Sequence, residues 1–228
     1  DAERALTNLV GTLALAIEGE LRANEAVLDA LATSPVLAKG DLAAFDAYAR
    51  KVGAQRDSWI VLNDAQAQQL INTRLPPGSV LPRSGTRTLI DSVFATRRTQ
   101  ISDVFIGVVA PRPLVSVVVP VSRDGEVRYA LDMPFAPERL SRLLASPALP
   151  AQTVATLLDS KSTIVARSHD AATYAGKPAP DWLRQAVAEG RQFASGARPD
   201  GVEAVIAFRA LSIAPWTLVV AQPKAALS

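Results

Sequence analysis

The apolar residues of the first 33 positions recur at intervals of three and four, which predicts one long helix with an apolar stripe. At a rise of 1.5 Å per residue this helix is about 45 Å long. Ser34-Pro35 ends it, because a residue that precedes proline is disfavoured in the helical conformation. The stripe predicts that the helix packs along its own domain, or that it forms a dimer interface, and both can be true. It consists of Leu6, Leu9, Val10, Leu13, Ile17, Leu21, Val27, Leu28 and Leu31.

Shorter patterns after Pro35 predict a second helix, two strands and an irregular loop. Asp41 is placed to cap a helix that runs from Leu42 to about Ala54. The next two apolar runs, Trp59–Asn63 and Leu70–Thr73, predict strands. Residues 75–82 contain three prolines, so we expect a surface loop or a cover over a pocket.

Helical and strand patterns continue to the end of the chain. Asp124-Gly125 predicts a tight hairpin turn, and Asp181 and Gly190 are placed to cap and to close a helix. The predicted helices are Arg87–Thr96, Pro137–Leu144 and Trp182–Glu189. The predicted strands are Ile101–Ile106, Leu114–Val121, Val127–Met133, Val154–Leu158, Thr163–Arg167, Gln192–Ala197, Val202–Ala210 and Trp216–Ala221.

One pattern occurs twice along the chain. An apolar run ends in aspartate, crosses a short polar turn and enters a second apolar run, first around Asp64 and again around Asp159. Each copy is followed later by a long paired-strand segment. The repeat predicts an α+β fold with two similar modules in series behind the long helix. We expect the helix in residues 1–40, the larger module in 41–146 and the smaller one in 147–228. This organisation favours a ligand sensor over an enzyme.

Composition and charge exclude several other classes of protein. The net charge is +2, and the arginines are scattered rather than interleaved with aromatic residues, so nucleic-acid binding is not expected. There are no cysteines, which excludes disulfides and thiolate metal sites. His169 is the one histidine, no nucleophile-elbow pattern is present and the glycines are isolated. We therefore expect no catalysis by this segment, no metal and no cofactor.

Several short motifs, in order, resemble the double Cache domain, the extracytoplasmic sensor of bacterial histidine kinases, chemoreceptors and diguanylate cyclases. Ile101-Ser-Asp-Val-Phe105 resembles the family's strand with aspartate before an aromatic residue. Leu114–Pro120 with Asp124-Gly125 resembles its hairpin, and Ala130-Leu-Asp132-Met resembles the end of its last distal strand. In the second half, Leu158-Asp159, Ile164–Arg167, Gly176 and Trp216–Val220 match further landmarks.

The resemblance implies two PAS-like modules, each with a central antiparallel sheet of about five strands flanked by helices. It also implies a periplasmic location, a homodimer formed through the N-terminal helix, and membrane anchoring by flanking segments. The chain begins at Asp1 in a helical pattern, so we expect it to be a piece of a larger receptor, most readily a histidine kinase. The alternatives are a chemoreceptor, a diguanylate cyclase or a solute-binding protein without signalling.

The candidate binding residues are Asp103, Phe105, Ser116, Asp132, Arg74 and Arg87. In the family Asp132 is at the position of the amine-binding aspartate. A buried carboxylate needs partners, so it would accept a ligand amine or hydroxyl, unless it faces solvent at the strand end. Asp103 and Phe105 would share a strand face, and Ser116 would add a hydroxyl. Arg74 and Arg87, near the cover, suit a carboxylate.

One departure from the family concerns the ligand. Members that bind amino acids carry an Arg-x-Trp-Tyr cluster shortly before the strand that contains Asp103. Here that stretch, residues 94–100, contains neither Trp nor Tyr. We therefore expect a small molecule, an organic acid or an amine, that is not bound through the usual amino-acid cluster.

Overall fold

The computed structural model describes residues 2–227, and these form two compact units. The central unit comprises residues 21–136, and the terminal unit comprises residues 2–20 and 137–227. The helices are α1 (Ala2–Ala32), α2 (Pro35–Ala38), α3 (Leu42–Gln55), α4 (Arg87–Thr96), α5 (Glu138–Leu144), α6 (Ala171–Tyr174) and α7 (Asp181–Ala188). None of these helices is both long and apolar enough to cross a membrane.

The central unit contains an antiparallel sheet with strand order β2-β1-β6-β5-β3, and β4 also pairs with β5. The predicted hairpin is confirmed as β5 and β6, and its turn has positive φ at both Asp124 and Gly125, as a two-residue hairpin turn requires. The strands are β1 (Val61–Asn63), β2 (Gln69–Asn72), β3 (Gln100–Ile101), β4 (Phe105–Ile106), β5 (Pro113–Arg123) and β6 (Glu126–Phe135).

The terminal unit repeats this strand order as β8-β7-β11-β10-β9. The prediction of two antiparallel sheets in an α+β fold is therefore confirmed. The strands are β7 (Val154–Leu158), β8 (Ile164–Arg167), β9 (Phe193–Ala197), β10 (Glu203–Ala210) and β11 (Thr217–Pro223). A core of apolar residues on one face of this sheet includes Leu158, Phe208 and Val219, and it packs against Leu183 of α7.

The repeated aspartates fold into the same turn. Asp64 Oδ1 accepts hydrogen bonds from the backbone N–H groups of Gln66 and Gln68, at 2.8 and 3.0 Å. Asp159 Oδ1 accepts from Lys161 and Thr163, both at 2.9 Å. In both turns the third residue after the aspartate has positive φ, +60° at Ala67 and +58° at Ser162. The side chain therefore supplies an acceptor for backbone N–H groups that this tight turn leaves without strand partners.

The apolar stripe of α1 is buried within the chain. Leu6, Val10, Leu13, Ile17, Leu21, Leu28 and Leu31 are at most 3% exposed, whereas Leu15, on another face, is 72% exposed. The interpretation of the stripe as packing against the helix's own domain is confirmed. Dimer formation through the remaining face of α1 stays a prediction. The helix ends at Ala32, where Ser34-Pro35 was predicted to end it, and Pro35 begins α2.

Two sequence predictions about local structure are wrong in detail. Asp181 is the first residue of α7 rather than its cap, because Pro180 takes the cap position and no side-chain cap bond forms. The run Ile101–Ile106 is not one strand, since residues 102–104 separate β3 from β4. Ser102 explains the break: its Oγ accepts the backbone N–H of Ser116 at 2.8 Å, where a continuous ladder would place a carbonyl oxygen.

Candidate functional site

The alternation of side chains along five strands builds a cavity on one face of the central sheet. Asp132 on β6 is directly opposite Val61 on β1, and Val61 in turn is opposite Asn72 of β2. Phe105 of β4 is opposite Leu114 of β5. Residues opposite one another in an antiparallel ladder share a face, so these side chains converge. They line a cavity of about 40 Å³, together with Trp59 and Pro134.

Two glycine-containing segments form part of the cavity wall. One consists of Ser84, Gly85 and Thr86, which lead into α4, and the other is residues 107–110, which follow β4. A Cβ added at Gly107 would overlap the carbonyl oxygen of Ala110 and approach Leu114, so only glycine allows this close backbone approach. Ile106 and Val108 are 62% and 53% exposed, whereas Ala110 is 3% exposed and belongs to the apolar cluster of Trp59, Val61 and Leu114. We call residues 105–110 the cover segment.

Asp132 is the one acidic side chain in the cavity lining, and it is 4% exposed. Ser116 donates its hydroxyl to Asp132 Oδ1 from the neighbouring strand. Burial raises the pKa of Asp132 to about 7, and the hydrogen bond from Ser116 opposes that rise only in part. Among the described residues no cationic side chain forms an ion pair with it. The carboxyl group is therefore poised between its neutral and charged forms near neutral pH.

A chain of polar side chains runs along the same face beside Asp132. Asn72 Nδ2 donates to Gln69 Oε1 at 3.0 Å, and Gln69 Nε2 donates to Ser84 Oγ at 3.0 Å. Ser84 Oγ donates to Asn63 Oδ1 at 2.6 Å. Gln69, Asn72 and Ser84 line the cavity. These bonds fix the amide groups in one orientation, so one wall of the cavity is polar and preorganised.

These amides are not among the residues predicted from the sequence. Gln69 and Asn72 are three residues apart, so regular alternation would place them on opposite faces, and the irregular β1–β2 pairing between Leu62 and Asn63 was not apparent from the sequence.

The structure brings four of the six predicted residues to the cavity or its edge. Asp132 and Phe105 line the cavity, and Ser116 lies directly behind Asp132. Arg74 is exposed, and its guanidinium carbon lies 4.7 Å from the ring centre of Trp59, a cavity residue. This is a cation–π distance, so Arg74 is held at the rim.

The remaining two predicted residues lie elsewhere. Arg87 forms an ion pair with Asp91 at 3.1 Å and donates to the Gln66 carbonyl at 3.3 Å, and it does not line the cavity. Asp103 is half-buried in the break between β3 and β4 and does not line the cavity either. Asp103 and Phe105 do not share a strand face as predicted, because Asp103 lies before the start of β4.

Side chains that commonly bind metal ions do not cluster in the part of the chain that the structure describes. Within residues 2–227 no group of three or more His, Asp or Glu side chains could hold a metal ion. The exposed His169 has its Nδ1 at 2.8 Å from Ser168 Oγ, its neighbour in the chain.

Solved structures with the same fold are sensor domains. No protein-family model matches the sequence, and no curated protein matches it significantly. The extracellular domain of a proposed histidine kinase, rpHK1S-Z16, superposes with a TM-score of 0.79 at 17% identity, covering 99% of this chain and 96% of that one.

Two chemoreceptor domains are also similar. The ligand-binding domain of Campylobacter jejuni Tlp3, solved with L-valine, has a TM-score of 0.72 at 14% identity, covering 98% of this chain and 93% of that one. The ligand-binding domain of Pseudomonas fluorescens CtaA, solved with L-leucine, has a TM-score of 0.75 at 15% identity, covering 99% and 97%. The chain therefore has the fold of Cache-type sensor domains, and the resemblance noted from the sequence is confirmed at the level of fold.

Proposed function

We propose that this chain is the extracytoplasmic ligand-sensing domain of a transmembrane signalling receptor, and that its ligand is a small molecule with a protonated amine. The observation that carries this proposal is the buried carboxyl group of Asp132 in the cavity lining, with a hydroxyl donor but no cation beside it. The likeness to sensor domains solved with amino acids supports the same ligand chemistry.

An amine is the group that this site lacks. A buried carboxylate without a counter-charge is unfavourable, which is why the pKa of Asp132 rises to about 7. An ammonium group at hydrogen-bond distance would stabilise the ionised form and would be stabilised by it. Asn72 and Gln69 would fix the orientation of the ligand through their amide groups, and Trp59, Phe105 and Leu114 would contact its apolar part.

The size of the cavity couples binding to a change of shape. A water molecule takes about 30 Å³ in the liquid, and the cavity measures about 40 Å³. An amine with even a short carbon chain is larger, so we propose that the cover segment moves outward when the amine binds. A ligand that binds the open arrangement more tightly than the closed one shifts the population between them, and such a difference in affinity is what a sensor requires.

The rim offers a second point of recognition. Arg74 lies over Trp59 and faces solvent, so it is placed to pair with a carboxylate on a ligand whose amine contacts Asp132. An α-amino acid and the amine that lacks its carboxylate therefore form an informative pair of probes. We expect wild-type protein to prefer the amino acid, and Arg74→Met to bind both equally.

A calorimetric and thermal-shift screen of primary amines, amino acids and matched neutral amides tests the site. We expect a hit among the amines, and we expect Asp132→Asn to abolish its binding while the fold, checked by circular dichroism, is kept. Asp91→Asn is the matched control, because it removes an exposed carboxylate from α4 in the same unit. Amine binding that survives in Asp132→Asn would reject Asp132 as the acceptor.

The signalling part of the proposal is tested on the parent gene. We expect apolar membrane spans on both sides of this segment, a homodimer of the receptor through α1, and a kinase or other output domain. In membrane vesicles, the ligand found in the screen should change the output activity, and the change should be absent from Asp132→Asn. A parent with a cleaved signal peptide and no further domain would instead support a solute-binding protein.

A further inference from the structure

The terminal unit contains a buried arginine whose hydrogen-bonding capacity is only partly used. Arg167 ends β8 and is 1% exposed. Its Nη1 donates to the carbonyl oxygen of His169 at 2.6 Å. Its Nε and Nη2 atoms are buried and have no hydrogen-bond acceptor. Charged donors left without acceptors in the interior are strongly unfavourable, so this arrangement needs an explanation.

The neighbours of Arg167 define which side of its guanidinium group can be reached. The ring of Tyr174 lies over the guanidinium plane, with its centre 4.2 Å from Cζ. The carboxylate of Asp170 is 3.9 Å from Nη1, and that of Asp200 is 3.8 Å from Nη2, both beyond hydrogen-bond distance. One face is thus covered, and the edge formed by Nε and Nη2 is the part that remains without a partner.

A second arginine shares the carboxylate of Asp200. Arg198 donates from Nε to Asp200 Oδ1 at 3.1 Å and from Nη2 to Oδ2 at 2.9 Å, a bidentate pair. Arg198 Nη1 also donates to the Gln152 carbonyl at 2.5 Å. Burial of Asp200 opposes ionisation, but the hydrogen bonds from Arg198 and from the Val202 N–H hold the pKa of Asp200 below its usual value. The ionised carboxylate of Asp200 therefore lies between two guanidinium groups. It is hydrogen-bonded to Arg198 and is too far from Arg167 for a hydrogen bond.

The carboxylate is carried by an exposed turn. Pro199, Asp200 and Gly201 are exposed and connect β9 to β10, and Gly201 has a φ of +86°. The Asp200 carboxylate accepts hydrogen bonds from Arg198 and from the Val202 N–H, and it lies 3.8 Å from Nη2 of Arg167. Displacement of this turn would take the Asp200 carboxylate away from Nη2 of Arg167.

We propose that Arg167 and Arg198 form a binding site for a small carboxylate anion in the terminal unit, and that Asp200 is an internal carboxylate displaced by that ligand. A ligand carboxylate would bind bidentately along Nε and Nη2 of Arg167, the planar fork geometry in which guanidinium groups bind carboxylates. It would supply the two acceptors that Asp200 does not reach. This site is separate from the Asp132 cavity, and the proposal does not rest on the amine ligand proposed there.

A purely structural role for the same residues makes different predictions. If the arginines only tie the turn to the sheet, removal of Asp200 destabilises the protein and leaves two guanidinium groups with no specific affinity for an anion. If Asp200 is a competing internal ligand, its removal increases the affinity for an external carboxylate.

The experiment measures binding of acetate, with acetamide as the neutral control, by calorimetry and thermal unfolding at constant ionic strength. We expect acetate to stabilise the wild-type protein and acetamide to have no effect. Asp200→Ala should bind acetate at least tenfold more tightly than wild type. Asp181→Ala is the matched control, because Asp181 is a fully exposed carboxylate in the same unit, and it should behave as wild type.

Variants at Arg167 and Asp132 complete the test. Arg167→Lys keeps the positive charge but lacks the planar guanidinium group, so it should lose the stabilisation by acetate. The double variant Arg167→Lys/Asp200→Ala should lose it too, in comparison with Asp200→Ala alone. The response should persist in Asp132→Asn. Failure of Asp200→Ala to bind acetate more tightly than wild type, an unchanged response in Arg167→Lys, or its disappearance in Asp132→Asn would each overturn the proposal.

Discussion

Ser116 and Asp132 are joined by a hydrogen bond that runs diagonally across two neighbouring strands. Ser116 is opposite Pro134, and Asp132 is opposite Val118, two positions further along the ladder. Both side chains therefore point to the same face of the sheet, and Ser116 Oγ donates to Asp132 Oδ1. This bond supports the ionised form of a carboxyl group that burial would otherwise keep neutral.

Removal of that hydroxyl should weaken amine binding. In Ser116→Ala the pKa of Asp132 should rise further, because the donor that favours its ionised form is lost. A hydrogen bond to a charged group is worth about 1.5–3 kcal/mol, so we expect at least tenfold weaker binding at pH 7 by calorimetry. Ser122→Ala, an exposed position on the same strand, should bind as wild type does. Equal affinities in the two variants would show that Ser116 does not act on the site.

The free energy of unfolding should depend on pH through Asp132. Its pKa is about 7 in the folded state and near 3.8 when exposed, so between these values the folded state binds the extra proton. Stability contributed by this group is thus fully present below about pH 4 and is lost as pH rises to 7, by about 1.4 kcal/mol per unit at most. Denaturant titrations of wild type and Asp132→Asn should diverge across this range. Parallel pH profiles would contradict the raised pKa.

Amine affinity should show the opposite trend with pH. Below pH 7 the free site holds a neutral carboxyl group, which must release its proton before it pairs with an ammonium group. We expect affinity to increase about tenfold per pH unit from pH 5.5 to 7 and then to level off. Calorimetry in buffers of different ionisation enthalpy should detect the released proton below pH 7. A pH-independent affinity would mean that the amine does not contact Asp132.

The cover segment should be sensitive to one methyl group at Gly107. A Cβ there overlaps the Ala110 carbonyl oxygen, so the backbone has to shift. Overpacking of this kind lowers stability by about 1–3 kcal/mol, and we expect amine affinity to change at least fivefold although every polar group remains. Trp59 fluorescence reports on the same site. Gly19→Ala is the control: its added methyl meets no atom within 4 Å in α1 and should be neutral or stabilising.

The two aspartate turns should contribute similar stability to their separate units. Asp64→Ala and Asp159→Ala each remove an acceptor of two backbone N–H groups, so we expect about 1–3 kcal/mol of destabilisation from each. Asp→Asn at either position keeps a side-chain oxygen that accepts these hydrogen bonds, so it should destabilise the protein less than Asp→Ala. Amide hydrogen exchange should locate the loss in the central unit for Asp64 and in the terminal unit for Asp159. Destabilisation confined to one of them would show that the turns are not equivalent.

Much of the fold could be predicted because it depends on local signals. The spacing of Leu13, Ile17 and Leu21 determines α1, and Asp41 caps α3 as predicted, accepting a hydrogen bond from the Ala44 N–H at 3.1 Å. The Asp-Gly pair set the hairpin turn, and the two aspartate turns indicated the repeat. Each of these signals acts over a few residues, where backbone sterics and hydrogen bonding leave few alternatives.

The sequence by itself therefore determined the longer helices, most strands, the two sheets and the candidate carboxyl group of Asp132. The tertiary structure decided which residues surround that group. Strand pairing places Asn72 on the cavity face and Ser116 behind Asp132, while Ser102 interrupts the ladder and leaves Asp103 outside the cavity lining. It also places Arg198 and Arg167 on either side of Asp200. Such contacts join residues far apart in the chain, and strand register, which no local pattern states, determines them.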